Sequence, residues 1–197
     1  MRLVLASKSQ ARARLLRDAG LAIDTVPPQV DERAAEAPLL EEGFGAEDVA
    51  AVLAQAKALD VSQREASALV IGADQTLECE GKRFNKPATQ EEARAQLLAL
   101  QGRTHTLHAA VTVARDGEVL FDHVAAAHLT LRPLTPREVG IYMATVGDAA
   151  LGSVGAYQIE GPGIRLMERV VGDHFTVLGL PLMPLLAFLR EQNAVEF

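Results

Sequence analysis

Apolar positions recur along this chain in several rhythms, and each rhythm predicts a different element. Arg2 to Ala6 is short and apolar before the polar Ser7, as expected of a buried strand. Ser7-Lys8-Ser9 leads into a helix reaching about Ala19. Ser9 is its N-cap, Leu15 and Leu16 lie on its apolar stripe, and Gly20 is its stop. A second short strand, about Leu21 to Val26, ends at Pro27-Pro28. From Asp31 to Glu47 the chain is acidic and without a clean period, which predicts loop and a helix start. Asp48 to Leu59 has a helical period that turns Val49, Val52, Leu53 and Ala56 inward.

The second half is richer in strand signals. Leu69-Val70-Ile71 is a continuous apolar run leading into Gly72-Ala73-Asp74-Gln75, with a hairpin expected around Glu80-Gly81-Lys82. Glu91 to Leu100 is helical. Thr104 to Ala114 alternates, with Leu107, Ala109, Val111 and Val113 on one face. Asp116-Gly117 then turns the chain into a long strand from Glu118 to about Leu131. Pro136 to Ala144 returns to helix. Arg165 to Val171, a Gly172-Asp173 turn and His174 to Leu178 predict another hairpin, and a helix over about Pro184 to Gln192 closes the chain. Strand–helix units mixed with long hairpins predict an α/β fold with a mixed sheet flanked by helices.

Composition narrows this picture. At 197 residues and 49% hydrophobic content, the chain is long enough for a sizeable core in one domain, 1–197, or two lobes sharing a sheet. The apolar run at the N-terminus is too short for a secretion signal, and Val177 to Leu189 is interrupted by Gly179, Pro181 and Pro184. One cysteine, Cys79, cannot build a disulfide framework or a cysteine-rich zinc site. These features predict a soluble cytoplasmic protein with no membrane partner. A net charge of -7, 4% aromatic residues and no Trp argue against nucleic acid as a partner. A polyphosphate would still be bindable, given a few placed cations and a divalent metal.

Four places carry polar groups that propensity does not require. At Ser7-Lys8-Ser9-Gln10-Ala11-Arg12, hydroxyls and an arginine lie at a helix start, where free N–H groups can cradle phosphate. An ordinary serine cap would read the same. Val30-Asp31-Glu32 pairs two acids that could ligate a metal or solvate a loop. Asp74 ends an apolar strand, where a desolvated carboxylate needs a cation or metal unless it caps a turn. Phe84-Asn85-Lys86-Pro87 adds a lysine that could fold back toward Asp74 or stay exposed on its hairpin. Lys57 follows Val49 and Leu53 at four-residue steps, so it reaches an anionic site or snorkels at the core rim, the plainer geometry. Finally, Gly155-Ala156-Tyr157-Gln158-Ile159-Glu160-Gly161-Pro162-Gly163 allows close backbone approach, and Glu160 could accept hydrogen bonds from a base edge or simply face solvent. Cys79 looks like filler, and His105 and His108 point to opposite faces of their strand.

Taken in order and spacing, these stretches resemble the Maf family over nearly the whole chain. Leu5-Ala6-Ser7-Lys8-Ser9 with Arg12, Val30-Asp31-Glu32, Ala56-Lys57-Ala58, Gly72-Ala73-Asp74-Gln75 and Lys86-Pro87 carry its first part. Gly102-Arg103-Thr104-His105, Gly155-Ala156-Tyr157, Glu160-Gly161, Gly172-Asp173 and Val177-Leu178-Gly179-Leu180-Pro181-Leu182 carry the rest. The resemblance implies a Maf/ITPase-like fold with an elongated mixed sheet and a nucleotide cleft between two lobes. It also implies homodimers and Mg- or Mn-dependent cleavage of nucleoside triphosphates to monophosphate and pyrophosphate. On this resemblance Asp74 is the proton acceptor, Glu32 helps Asp74 hold the metal, and Ser7, Arg12, Lys57 and Lys86 hold phosphates.

Specificity in the family divides partly on the positions of Ala11, Gln75 and Glu160. Members acting on dTTP and UTP resemble Arg, Thr and Gln there, and members acting on 7-methyl-GTP resemble Trp, Gln and Glu. This chain has the second set at two positions and neither at Ala11, so it leans to 7-methyl-GTP or another purine-type nucleotide. The alternatives are a dTTP/UTP pyrophosphatase and a non-catalytic nucleotide-binding regulator of cell division.

Overall fold

Local chemistry sets the first layer of structure. The computed structural model describes all 197 residues. Strand β1 is Leu3–Ala6, followed by helix α1 at Gln10–Asp18 and β2 at Ile23–Thr25. Ser9 caps α1, its side chain accepting from the Arg12 N–H at 3.4 Å. Helices α2 (Glu32–Glu41) and α3 (Ala46–Ser62) precede the β3–β4 hairpin of Leu69–Cys79 and Lys82–Phe84. Then come α4 (Gln90–Leu100), β5 (Thr104–Arg115), β6 (Glu118–Leu131) and α5 (Pro136–Val146). Three short 3-10 turns at 147–152, 154–156 and 162–166 lead to β7 (Met167–Val171), α6 (His174–Val177) and α7 (Leu182–Glu191).

The hairpins form where left-handed backbone was expected. Glu80 and Gly81 have φ of 53° and 75°, and Asp116 and Gly117 have 50° and 83°. Two successive positive φ values match the right-handed twist of the flanking strands.

The seven strands form a mixed sheet in the order β2-β1-β3-β5-β6-β7, with β4 paired to β3 off that path. β1 runs parallel to both β2 and β3, while β3–β4 and β6–β7 are antiparallel. The mixed α/β architecture read from the sequence is therefore present.

By its contacts the chain divides into two compact units. The first comprises Met1–Gln75, His108–Ala126 and Asp173–Phe197, and the second Thr76–Leu107 and Ala127–Gly172. In the first, β1 is buried on both faces, which is why it reads as an unbroken apolar run. Leu3 and Leu5 join Leu69, Ile71, Leu16, Leu185 and Leu189 on one side, and Val4 and Ala6 join Val61 and Val70 on the other. In the second, Leu77, Leu97, Leu100, Leu107, Leu129 and Leu131 are fully buried. No helix is long and apolar enough to cross a membrane.

Two expectations are corrected. The acidic stretch after Asp31 is mostly the helix α2, capped by Asp31, whose Oδ1 accepts from the Ala34 N–H at 3.1 Å. It buries none of its residues and contains Pro38, so no apolar period announced it. His174 to Leu178 is not a returning strand but the short helix α6, with Asp173 accepting from the Thr176 N–H at 2.8 Å. The partner of β7 is instead β6, with Leu129 opposite Val170.

Candidate active site

In parallel α/β units, polar groups collect at the C-terminal ends of the strands. The register Ala6↔Gly72 places the C-terminal end of β1 beside the interior of the longer β3. From β1 the chain passes through Ser7 into the start of α1. β3 itself runs on through Ala73 and Asp74 to Cys79, so Asp74 lies within the strand and not, as the apolar run before it suggests, at its end.

Gly72 determines what comes next. A Cβ at this position would lie 2.2 Å from the Ala54 carbonyl oxygen and 2.6 Å from the Ala58 amide nitrogen. Only glycine lets α3 approach β3 this closely. Ala50, Ala54 and Ala58, all buried, keep the facing side of α3 small. That approach brings Lys57 of α3 to Asp74 of β3.

The Lys57 ammonium donates to Asp74 Oδ1 at 2.6 Å and pairs with Glu32 Oε1 at 2.8 Å. The Lys57 side chain is 7% exposed and that of Asp74 13%, whereas Glu32, in the first turn of α2, is 55% exposed. Of the two readings open for Lys57, it reaches an anionic site in a buried ion pair and does not snorkel at the core rim. One cation thus holds two carboxylates contributed by α2 and β3, and its removal would leave the Asp74 carboxylate buried without that partner.

Arg12 belongs to the same cluster. Its Nε donates to the Gly179 carbonyl at 2.8 Å and its Nη1 to the Ala73 carbonyl at 2.9 Å. Burial lowers its pKa below the ordinary arginine value, while the negative charges of Asp74 and Glu32 raise it. The guanidinium therefore ties α1 to the residue preceding Asp74 and to the segment after α6. Arg12→Ala is expected to cost about 2–3 kcal/mol in urea unfolding, because two charge-assisted bonds to buried carbonyls are lost. Arg12→Lys should recover less than half of that, since an ammonium cannot span both carbonyls in one plane.

Gln75 repeats the pattern. Its Nε2 donates to the carbonyls of Thr176 and Val177, each at 3.1 Å. Gly179, with φ of +93°, turns the chain where a Cβ would come within 3.2 Å of Gln75 Oε1. The α6–Gly179 segment as a partner of Arg12 and Gln75 was missed in the sequence. Its advance signals were Gly172-Asp173 and the Val177-Leu178-Gly179-Leu180-Pro181-Leu182 stretch.

Ser7 is buried, and its Oγ accepts from the Ser9 N–H at 3.1 Å. With Lys8, Ser9, Gln10, Ala13, Arg17, Thr25 and Pro27 it lines a depression of about 280 Å³ at the start of α1. Ala11 is exposed on α1. Ser7, Arg12, Glu32, Lys57, Asp74 and Gln75 all lie in the first unit.

Lys86 and Glu160 belong to the second unit, where both are exposed. Glu160 sits in a turn closed by the Gly161 N–H donating to the Gln158 carbonyl at 3.0 Å. His105, set aside in the sequence, is 1% exposed and lies 2.8 Å from the Tyr157 hydroxyl through Nε2. Burial lowers its pKa to about 4. The sign follows from a folded-state value below the unfolded one near 6.5: stability from neutral His105 is present above pH 6.5 and lost as pH falls toward 4. About 3 kcal/mol is expected from this group over that window. Urea unfolding at pH 7 and pH 4.5 should show the loss in the wild type and a smaller one in His105→Gln.

A divalent cation has a limited donor set here. Glu32 and Asp74 offer hard carboxylate oxygens suited to magnesium or manganese, and no group of three or more His, Cys, Asp or Glu converges anywhere. The residues fit an ion that draws its remaining ligands from phosphate oxygens and water, not an all-protein cage.

A carboxylate–lysine–carboxylate cluster contributed by α2, α3 and β3 gives this α/β protein a charged site. Comparison with known proteins places it more closely. A family model described as Maf-like protein matches residues 2–192, and the chain belongs to that family. A protein named 7-methyl-GTP pyrophosphatase from Brucella abortus biovar 1 (strain 9-941) is 53% identical over 196 residues, covering 100% of this chain and 98% of its own. A protein named nucleoside triphosphate pyrophosphatase from Nitrobacter winogradskyi is 52% identical over 190 residues, covering 96% and 93%. The solved structure of a HAM1 protein from Coxiella burnetii aligns with a TM-score of 0.45 at 16% identity over 66% of this chain and 73% of that one.

Proposed function

We propose that this protein is a nucleoside triphosphate pyrophosphatase that hydrolyses 7-methyl-GTP or another purine-type nucleotide to the monophosphate and pyrophosphate. The observation that carries the reading is the buried Lys57 ammonium held between Asp74 and Glu32. Relatives about half identical over essentially the whole chain bear pyrophosphatase names, which supports the reaction class and the purine preference.

Hydrolysis at the α-phosphorus needs an in-line water, neutralised phosphate oxygens and a stabilised pyrophosphate leaving group. Asp74 accepts the proton of that water as its oxygen attacks phosphorus, and the bond to the bridging oxygen breaks toward pyrophosphate. A magnesium or manganese ion held by Asp74 and Glu32 would supply positive charge against the polyphosphate. Lys57 then has a second use, since its ammonium can pass from carboxylate to phosphate oxygens as they arrive. Ser7, Arg12 and the start of α1 receive phosphate, and Arg12 also keeps that start fixed against Ala73. Lys86 adds a cation. Gln75 and Glu160 select the base, and Ala11 leaves room where other family members carry a large side chain. The family resemblance also supports a homodimer and a single 1–197 functional domain.

The test is a panel of 7-methyl-GTP, GTP, ATP, dTTP and UTP with Mg²⁺ or Mn²⁺. Highest kcat/KM with a purine nucleotide and no turnover in chelator is expected. A preference for dTTP or UTP would overturn the purine assignment, and binding without turnover of any nucleotide would overturn the enzyme assignment.

A further inference from the structure

Glu160 is exposed, yet the backbone beneath it is held from several directions. Gln158 carbonyl accepts from both the Gly161 and Gly163 N–H groups at 3.0 Å, closing the turn that carries Glu160. A Cβ at Gly163 would fall 2.5 Å from that carbonyl oxygen and 2.6 Å from the Gln158 nitrogen, so the closure demands glycine. The Gln158 N–H donates to the Tyr142 hydroxyl at 2.9 Å, and that hydroxyl donates to the Ala156 carbonyl at 3.3 Å. Ser153 Oγ donates to the Tyr157 carbonyl at 2.9 Å. Gln158 Nε2 donates to the Ala149 carbonyl at 2.6 Å.

The Tyr157 side chain anchors this assembly in the interior. Tyr157 is 5% exposed, its ring lies 5.4 Å from that of His105, and its hydroxyl meets His105 Nε2 at 2.8 Å. A Cβ at Gly155, where φ is +75°, would lie 2.7 Å from the Tyr157 ring and from a Leu77 methyl. The pair is incompletely satisfied, because His105 Nδ1 is buried without a hydrogen-bond partner. A leucine in place of His105 would avoid that cost. What it could not do is bond the Tyr157 hydroxyl.

We propose that His105 and Tyr157 are positioning residues for base selection, fixing the turn that carries Glu160 in the one arrangement able to read a purine edge. This rests on Glu160 facing the base, as proposed above. A hydrogen-bonding partner that must meet a base edge gains selectivity from rigidity, since misplacement near 1 Å is enough to forfeit it.

The experiment measures kcat and KM for 7-methyl-GTP and dTTP in the wild type, His105→Leu, His105→Gln, Tyr157→Phe and Glu160→Gln. Tyr157→Phe keeps the ring and the core volume, so it carries the test if His105→Leu does not fold. Expected for His105→Leu and Tyr157→Phe is a loss of about tenfold or more in the 7-methyl-GTP to dTTP ratio of kcat/KM, falling on KM, with kcat within about threefold. His105→Gln, which can still bond the hydroxyl, should keep the ratio within about threefold. An unchanged ratio in Tyr157→Phe, with Glu160→Gln altering it, would overturn the proposal while leaving the functional reading intact. An unchanged ratio in Glu160→Gln as well would remove the base-reading role on which it stands. No turnover by the wild type would instead sink the functional reading itself.

Discussion

Asp74→Asn lowers kcat by at least about a thousandfold while the fold survives, the range expected for loss of a positioned general base. Asn keeps the volume of Asp and a carbonyl oxygen for Lys57, which lies 2.6 Å from Asp74 Oδ1. It cannot accept the proton of the attacking water. It also weakens one of two carboxylates suited to a divalent ion, so metal dependence should shift to higher concentrations. Nucleotide binding followed by calorimetry in the same variant separates the two effects. Turnover within tenfold of wild type would remove Asp74 from the chemistry.

Gly72→Ala has the largest expected effect on stability. The added methyl would overlap the Ala54 carbonyl oxygen at 2.2 Å and the Ala58 nitrogen at 2.6 Å, both of them helix backbone that no rotamer change can move aside. Overpacking of this kind costs about 3 kcal/mol or more. Relief requires α3 to move off β3, and that lengthens the Lys57–Asp74 contact. Urea unfolding should therefore show a lower midpoint with unchanged slope, and turnover should fall more than the folded fraction alone explains. A variant as stable and active as wild type would mean that the close approach of α3 does not set the site.

Much of this was legible along the chain, for definable reasons. Asp74 stood out because a carboxylate directly after a buried apolar run is costly without a partner, although the strand runs on past it to Cys79. Ser9 was recognisable as a cap because capping is decided within four residues. Lys57 could be placed on the inward face of its helix, where an anionic site and snorkelling at the core rim were both open. Its partners come from α2 and β3, and only the glycine at position 72 makes the approach possible. α2 was hidden because it buries nothing, and sequence periodicity reports burial. α6 was read as strand because four residues are too few to show a helical period. His105 looked idle for a similar reason. Its partner Tyr157 lies on a distant segment of irregular turns, where spacing carries no information about contact.

The site itself follows one logic. A glycine and three alanines let a helix crowd a strand, the crowding brings a lysine to a buried aspartate, and the neighbouring α1 is tied in place by Arg12. Each step is a packing consequence of small or charged residues at particular positions, and each is open to single substitutions.

The most direct measurement of the central claim is hydrolysis of 7-methyl-GTP by the purified protein with Mg²⁺ in ¹⁸O-labelled water, with products resolved by mass. Attack at the α-phosphorus predicts 7-methyl-GMP carrying the label and unlabelled pyrophosphate. Diphosphate nucleoside with labelled orthophosphate, or label in the pyrophosphate, would contradict it.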